Sequence, residues 1–269
     1  VRRLLPLALL AACGPVNPGE SADPQVVPDC AVALDGAIGP SEMPLVPGLS
    51  ALYVRNAPNT QVARWPGGTA DVALDLSEGP EEVGLTVRLQ DPSGTAWGAR
   101  FPDADYAAPL ALQWPDLLGI YDWVGTDLGG ELRLLGATTT DAVGPEATSE
   151  WTYDEPVVVL RLPLEPGDGW GQTATWSGGR AAGLPEAAVE DWSFAAEAFG
   201  RARLPGSIEV DEVVLLTSRV EQQLALSVGP SNTVRHGWQW FSPCFGEIAG
   251  AFGASSTGVE LDELRRLVP

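Results

Sequence analysis

Nucleophilic and general-base chemistry runs most often through histidine, and this chain has one, His236. It falls in the alternating series Val234, His236, Trp238, Trp240, on the side of the apolar residues. Two roles fit such a residue: a hydrogen-bonded histidine in a core or rim, or a titrating group at the mouth of an apolar groove. No Gly-x-Ser-x-Gly elbow accompanies it. Carboxylates are the other route. Asp103 and Asp105 flank Ala104, Asp122 and Asp127 lie near Trp123, Asp168 sits by Trp170, and Glu190-Asp191 precede Trp192. Acids beside tryptophan suggest a glycosidase cleft. With 36 acidic residues, however, such adjacency is expected by chance, and most of these acids mark turns. The Asp-x-Asp-x-Asp-Gly calcium loop is missing, and Asp103-Ala104-Asp105 is only a fragment of it. No catalytic set, metal ligand set or cofactor is assigned. The ten tryptophans either fill the core of a large curved sheet or line a surface that stacks on sugars or apolar ligands. Trp238 and Trp240 share one face of a strand by alternation, and Trp170 and Trp176 share a face of another. If any surface takes a ligand, this aromatic one with His236 is the candidate.

Those side chains must be placed by strands. Val83, Leu85, Val87 and Leu89 alternate with Gly84, Thr86, Arg88 and Gln90, which predicts a half-buried strand with one wet face. Val72, Leu74 and Leu76 alternate in the same way. Further strands are predicted over 51–55, 61–65, 95–101, 108–114, 119–124, 131–136, 148–153 and 156–164. Others follow over 170–176, 191–199, 207–220, 222–228, 234–241 and 247–252. Glycine and proline turns separate them, among them Pro66-Gly67-Gly68, Asp91-Pro92-Ser93-Gly94 and Pro166-Gly167-Asp168-Gly169. Many short strands with such punctuation predict an all-β fold. The expectation is an antiparallel meander forming a strongly curved sheet, half-barrel or sandwich. Helix is expected at most around 185–190 and in the tail 258–268, where Leu261, Leu264 and Val268 could share a side. Residues 49–253 are expected to form one β domain, with 254–269 as a tail; a split near Gly144-Pro145 is the alternative. The formal charge of −21, with every basic residue an arginine, repels phosphate backbones and excludes nucleic acid as a partner.

The start of the chain carries a different signal. Arg2 and Arg3 precede the apolar run Leu4 to Ala12, which closes in Leu10-Ala11-Ala12-Cys13 and is followed by Gly14-Pro15. Basic, then apolar, then small residues is the layout of a secretory signal peptide, here residues 1–12. The run is too short to span a bilayer, which takes about 20 apolar residues. Its ending resembles the bacterial lipoprotein signal. The resemblance implies acylation of Cys13, a lipid anchor in the membrane, and, since Gly14 is not aspartate, residence in the outer membrane. Each buried methylene adds about 0.8 kcal/mol of anchoring, and two or more chains hold stably. Residues 13–48 then read as the lipidated cysteine and a tether. Pro15, Pro18, Pro24 and Pro28 favour an extended course over 14–29, with a reach of roughly 50 Å at ~3.3 Å per residue. Given that resemblance, Cys30 and Cys244 remain, and two thiols in an exported protein read as one disulfide. The other reading is two unrelated buried thiols.

The second half carries a second resemblance. Pro163, Leu164, Gly167 and Trp170 are followed by Pro205-Gly206 and then by Trp240, Pro243 and Gly246. This succession resembles an uncharacterised family of bacterial envelope proteins built as meandering, strongly curved sheets or half-barrels. It implies a fold and a cellular address and no activity. Cys244, inside the Pro243–Gly246 turn, departs from the pattern in the way a bridge to Cys30 would require. Three functions are therefore weighed. The first is a non-enzymatic envelope lipoprotein with a structural or accessory role through contacts with another envelope protein. The second is a binding lipoprotein with an apolar or glycan ligand on a Trp-lined concave face, which predicts a cavity of roughly 300 Å3 or more. The third is a carboxylate-dependent hydrolase, which predicts two acids about 5–9.5 Å apart in a cleft.

Overall fold

The structure, a computed structural model, describes residues 30, 32–33, 35–56, 74–77, 82–112, 114–139, 149–181, 184–226, 229–254, 256 and 261–268. The signal segment 1–12, Cys13, the tether 14–29, the strand predicted over 61–65 and the Gly144-Pro145 split lie outside these residues. Alternating apolar and polar positions fold as strands throughout. In chain order they are β1 (Ser50–Asn56), β2 (Leu74–Asp75), β3 (Glu82–Arg88), β4 (Tyr106–Ala111), β5 (Trp114–Thr126), β6 (Gly129–Thr139) and β7 (Glu150–Leu162). There follow β8 (Gly169–Ala181), β9 (Leu184–Leu204), β10 (Ile208–Leu226), β11 (Gly229–Ser242), β12 (Gly246–Gly253) and β13 (Glu263–Val268).

The strands form one antiparallel sheet in the order β3-β1-β13-β12-β11-β10-β9-β8-β7-β6-β5-β4. The sheet curls until its two edges nearly meet. Just beyond β3, the Gln90 N–H donates to Ala107 O of β4 at 2.8 Å, and the Ala107 N–H donates back at 2.9 Å. The result is a nearly closed barrel, which removes the exposed edges that an open sheet of this size would leave. Strand β2 stands off the path and pairs in parallel with Ala202 and Arg203 at the far end of β9.

Two expectations change. The tail 258–268 supplies a strand, β13, which fits between β1 and β12; the stretch 185–190 likewise lies within β9. Sheet closure decides this, because β1 and β12 each present a ladder of backbone donors and acceptors that a helix could not satisfy. The predicted strand 95–101 is a turn in which the Arg100 and Phe101 N–H groups both donate to Trp97 O. That turn brings Trp97 and Phe101 together against Ala107, Leu118, Ile120 and Leu135, covering part of the barrel's outer face.

The outer face is otherwise polar. Arg133 pairs with Asp122, Arg161 with Glu131, and Arg219 with Glu221. A transmembrane barrel carries an apolar band in this position. Here the larger apolar surface faces inward. One outer patch is covered by the chain itself: Leu76, Ala202, Leu204, Val210 and Leu261 cluster with Trp240, Ala249, Ala251 and Leu264. Arg266 fastens this cover, donating from Nη1 to Leu76 O at 2.6 Å.

Candidate ligand cavity

The antiparallel meander puts the turns after β5, β7, β9 and β11 at one end of the barrel, and those after β4, β6, β8, β10 and β12 at the other. The first end is closed. Residues 38–49 cross it as a strap, which begins with an antiparallel bridge between Ile38 and Leu164. The Cys244 N–H donates to Glu42 O at 2.7 Å, and Cys30 is disulfide-bonded to Cys244. The buried Glu42 carboxylate accepts from the N–H groups of Gly39 at 2.7 Å and Ala33 at 2.6 Å. Gly246 has φ +70°, and its Cα faces the Pro44 ring so closely that a Cβ would lie 3.1 Å from Cγ. Above the strap, Met43 clusters with Phe194, Leu216 and Phe241 to make a floor.

Over that floor the lumen is hollow. The cavity measures about 1600 Å3. All four tyrosines of the chain, Tyr53, Tyr106, Tyr121 and Tyr153, border it, as do Trp151, Trp176 and Trp192. The rings are stacked. Trp151 and Trp176 centroids lie 5.4 Å apart, Tyr106 and Tyr121 5.5 Å, and Trp192 and Phe194 5.9 Å. Glycines in the strands make room for them. A Cβ on Gly119 would meet the Tyr121 hydroxyl at 2.6 Å, and one on Gly179 would meet the Trp176 ring at 2.9 Å.

Two polar clusters border the cavity. In the first, the buried Glu190 of β9 accepts four hydrogen bonds from side chains of β7 to β10. Its donors are the Tyr153 hydroxyl at 2.8 Å, Trp176 Nε1 at 3.2 Å, Trp192 Nε1 at 3.0 Å and Gln222 Nε2 at 2.7 Å. Two bonds to each oxygen fill the acceptor sites of the group. In the second, Arg265 of β13 grips Glu247 with Nε at 2.5 Å and Nη2 at 2.8 Å, and reaches Glu263 with Nη1 at 3.1 Å. Gln239 adds a bond to Glu247 Oε2 at 2.7 Å, and the Arg265 guanidinium lies 4.8 Å over the Phe252 ring. Burial opposes the charge on Arg265, but the Glu247 carboxylate outweighs it and holds the guanidinium firmly protonated.

The tyrosines feel both clusters. Burial pushes the Tyr121 hydroxyl up to about 12, with smaller opposing effects from Arg265 and Glu247. Burial also raises Tyr53, Tyr106 and Tyr153, and the Glu190 carboxylate adds to the rise at Tyr153.

The residues singled out in the sequence divide between the two faces of the sheet. Trp176 borders the cavity. Trp170 stacks behind Phe194 at 5.1 Å and donates from Nε1 to Val158 O at 2.9 Å. Trp238 and Trp240 point the other way. Their cross-strand partners in β12 are Ala251 and Ala249, whereas the cavity-bordering Gln239 and Phe241 occupy the intervening and following positions. Trp240 is buried under the outer cover described above. His236 lies in phase with them, stacks on Trp238 at 6.2 Å, and alone of the three borders the cavity. Of the acids weighed for hydrolysis, Asp122 pairs with Arg133, Asp105 accepts from the Trp123 N–H, Asp168 from the Glu165 N–H, and Asp191 from Thr173. None of these four borders the cavity.

Glu190, weighed in the sequence only as an acid beside Trp192, and Arg265, not singled out there, both had a legible signal as interior groups. Glu190 lies in the apolar phase of β9 with Ala188, Trp192 and Phe194, and Arg265 shares its phase with Leu267. A charged residue in register with buried neighbours marks an interior polar group that must find partners. Among the described residues, no group of histidine, cysteine and acidic side chains is arranged to hold a metal ion. No family model, curated protein or solved structure matches this chain.

Proposed function

We propose that this protein is an envelope lipoprotein that holds an apolar ligand in the lumen of its barrel. The observation that carries this reading is the cavity of about 1600 Å3 walled by stacked aromatic rings. It is ample for the roughly 300–1,000 Å3 of pockets for drug-sized molecules. A role through protein contacts alone leaves this hollow without a purpose. A hydrocarbon ligand in it would make packing contacts with the rings of the wall.

The anchor belongs to the same proposal. Lipid on Cys13 would hold the protein to the outer membrane, and the chain enters the fold at Cys30, on the floor side. A tether leaving from the closed end keeps the opposite end of the barrel away from its own anchor.

The test is binding of N-phenyl-1-naphthylamine, a probe that brightens in apolar surroundings. The expected result is saturable binding at one site, with quenching of tryptophan fluorescence. Ser218→Trp places a ring in the lumen, and is expected to weaken binding at least about tenfold while leaving the melting temperature near that of the parent. Absence of saturable binding, or equal binding by the folded variant, would refute the reading.

A further inference from the structure

We infer that the lumen selects an electrically neutral lipid, with a hydroxyl or carbonyl head, over a fatty acid or other lipid anion. This rests on the lumen being the binding site, and it follows from how the charges that border the cavity are already spent.

The polar groups of the wall are of two kinds. Among the charged ones, Arg265, Glu247 and Glu263 are engaged with each other, and Glu190 is held by neutral donors. Arg265 has its Nε and Nη2 on Glu247 and its Nη1 on Glu263, so its single charge is already met by two carboxylates, and a ligand carboxylate would be the third around it. Arg235 also borders the cavity, but it stands exposed to solvent and has an interaction of its own. Arg55 lies opposite Arg265 on β1; its Nη1 donates to Asn56 O at 2.9 Å and its buried Nε has no hydrogen-bond partner, but it does not border the cavity. Glu190, Glu247 and Glu263 all border the lumen. A carboxylate brought among them would lose its water and face like charge, and the arginines that border the cavity already have interactions of their own.

The acids are committed as well, so a cationic head would have no acid to pair with that is not already hydrogen-bonded. Glu190 has four donors, and Glu247 and Glu263 hold Arg265. What remains is neutral. Tyr121 borders the cavity, and its hydroxyl makes no hydrogen bond with the described residues. Tyr121 is pushed toward staying protonated by its burial. A hydroxyl that keeps its proton can donate to a carbonyl or exchange a bond with an alcohol. The rest of the surface, including Leu110, Leu134, Val159 and Trp176, offers only contact and stacking to a hydrocarbon.

The experiment varies the head group on a constant tail. All-trans-retinol and all-trans-retinoic acid are titrated into the full-length chain at pH 8, followed by energy transfer from tryptophan; octadecanol and stearate are then used as competitors. The expected result is that each alcohol binds at least about tenfold more tightly than its acid. Equal affinity for alcohol and acid would overturn the selection by charge while leaving the lumen as the binding site. Tighter binding of the acids would also overturn it, and would assign Arg55 or Arg235 to the head group. If neither pair binds, and N-phenyl-1-naphthylamine does not either, the binding site itself is refuted, and this inference falls with it.

Discussion

At the scale of single residues, the interior is organised by polar groups that have each been given partners. Glu190 ties Tyr153, Trp176, Trp192 and Gln222 into one cluster, so three aromatic rings and an amide from four strands share a common acceptor. The tyrosines give this scale a measurable signature. All four are shifted upward by burial, Tyr121 to about 12. An unfolded chain ionises its tyrosines near 10. The folded state therefore keeps its phenolic protons where the unfolded state has lost them. The stability linked to these groups is complete below pH 10 and is lost as pH rises toward 12 and beyond. Absorbance at 295 nm is expected to show almost no phenolate between pH 10 and 11. It should then rise in one steep step that coincides with loss of near-ultraviolet circular dichroism. Gradual ionisation near pH 10 in the folded protein would mean that these hydroxyls are open to solvent.

At the scale of elements, the seam between β7 and β8 is the unusual feature. Their recorded backbone pairing is at Glu150 and Arg180. Lower down, Pro156 interrupts β7, since it has no N–H to give the ladder. The Gln172 side chain takes over. It accepts from the Val158 N–H at 2.9 Å and donates to Pro156 O at 2.9 Å, so one side-chain amide does the work of a strand residue. This explains why 148–153 and 156–164 read as two strands in the sequence and are one in the structure: the proline is accommodated by a partner 16 residues away. Gln172→Ala is expected to cost about 1–3 kcal/mol, because it leaves a partly buried donor and acceptor without partners. Urea unfolding measures the loss, and hydrogen exchange should locate it at Val158. Gln172→Glu keeps an acceptor for Val158 and is expected to lose less. At β10, which holds no proline, the stretches predicted over 207–220 and 222–228 fall in one strand, Ile208–Leu226, that pairs with β9 and β11.

At the scale of the whole molecule, the barrel is asymmetric. One end is sealed by a strap, and the seal is covalent, with Cys30 bridged to Cys244 across a sequence separation of 214. Closing so long a loop removes entropy from the unfolded chain, up to about 5 kcal/mol in the loop-closure model. The double substitution Cys30→Ser with Cys244→Ser is expected to lower the urea midpoint and to reduce the unfolding free energy by an amount within that ceiling. Reduction of the parent protein with dithiothreitol should reproduce the loss, and a variant as stable as the parent would show that the strap is held by its noncovalent contacts alone.

The sequence by itself determined the all-β class, most strand positions and the acidity of the surface. The disulfide, expected once the first cysteine was set aside for lipid, is present in the structure. These follow from local rules, because alternation, turn chemistry and charge are properties of neighbouring residues. Only the tertiary structure decided which face of each strand became the inside. Trp238 and Trp176 look alike in the sequence, each an aromatic in an alternating strand, yet one faces outward and the other borders the lumen. Facing is set by register across the whole sheet, and a shift of one residue inverts it. Bulges at Trp240/Phe241 and Trp176/Gly179 make such shifts within β11 and β8. The hollow itself was likewise invisible in the chain, since an apolar face is equally consistent with a packed core. The barrel's curvature, closed by β13 and by the Gln90–Ala107 pair, is what holds the aromatic walls apart.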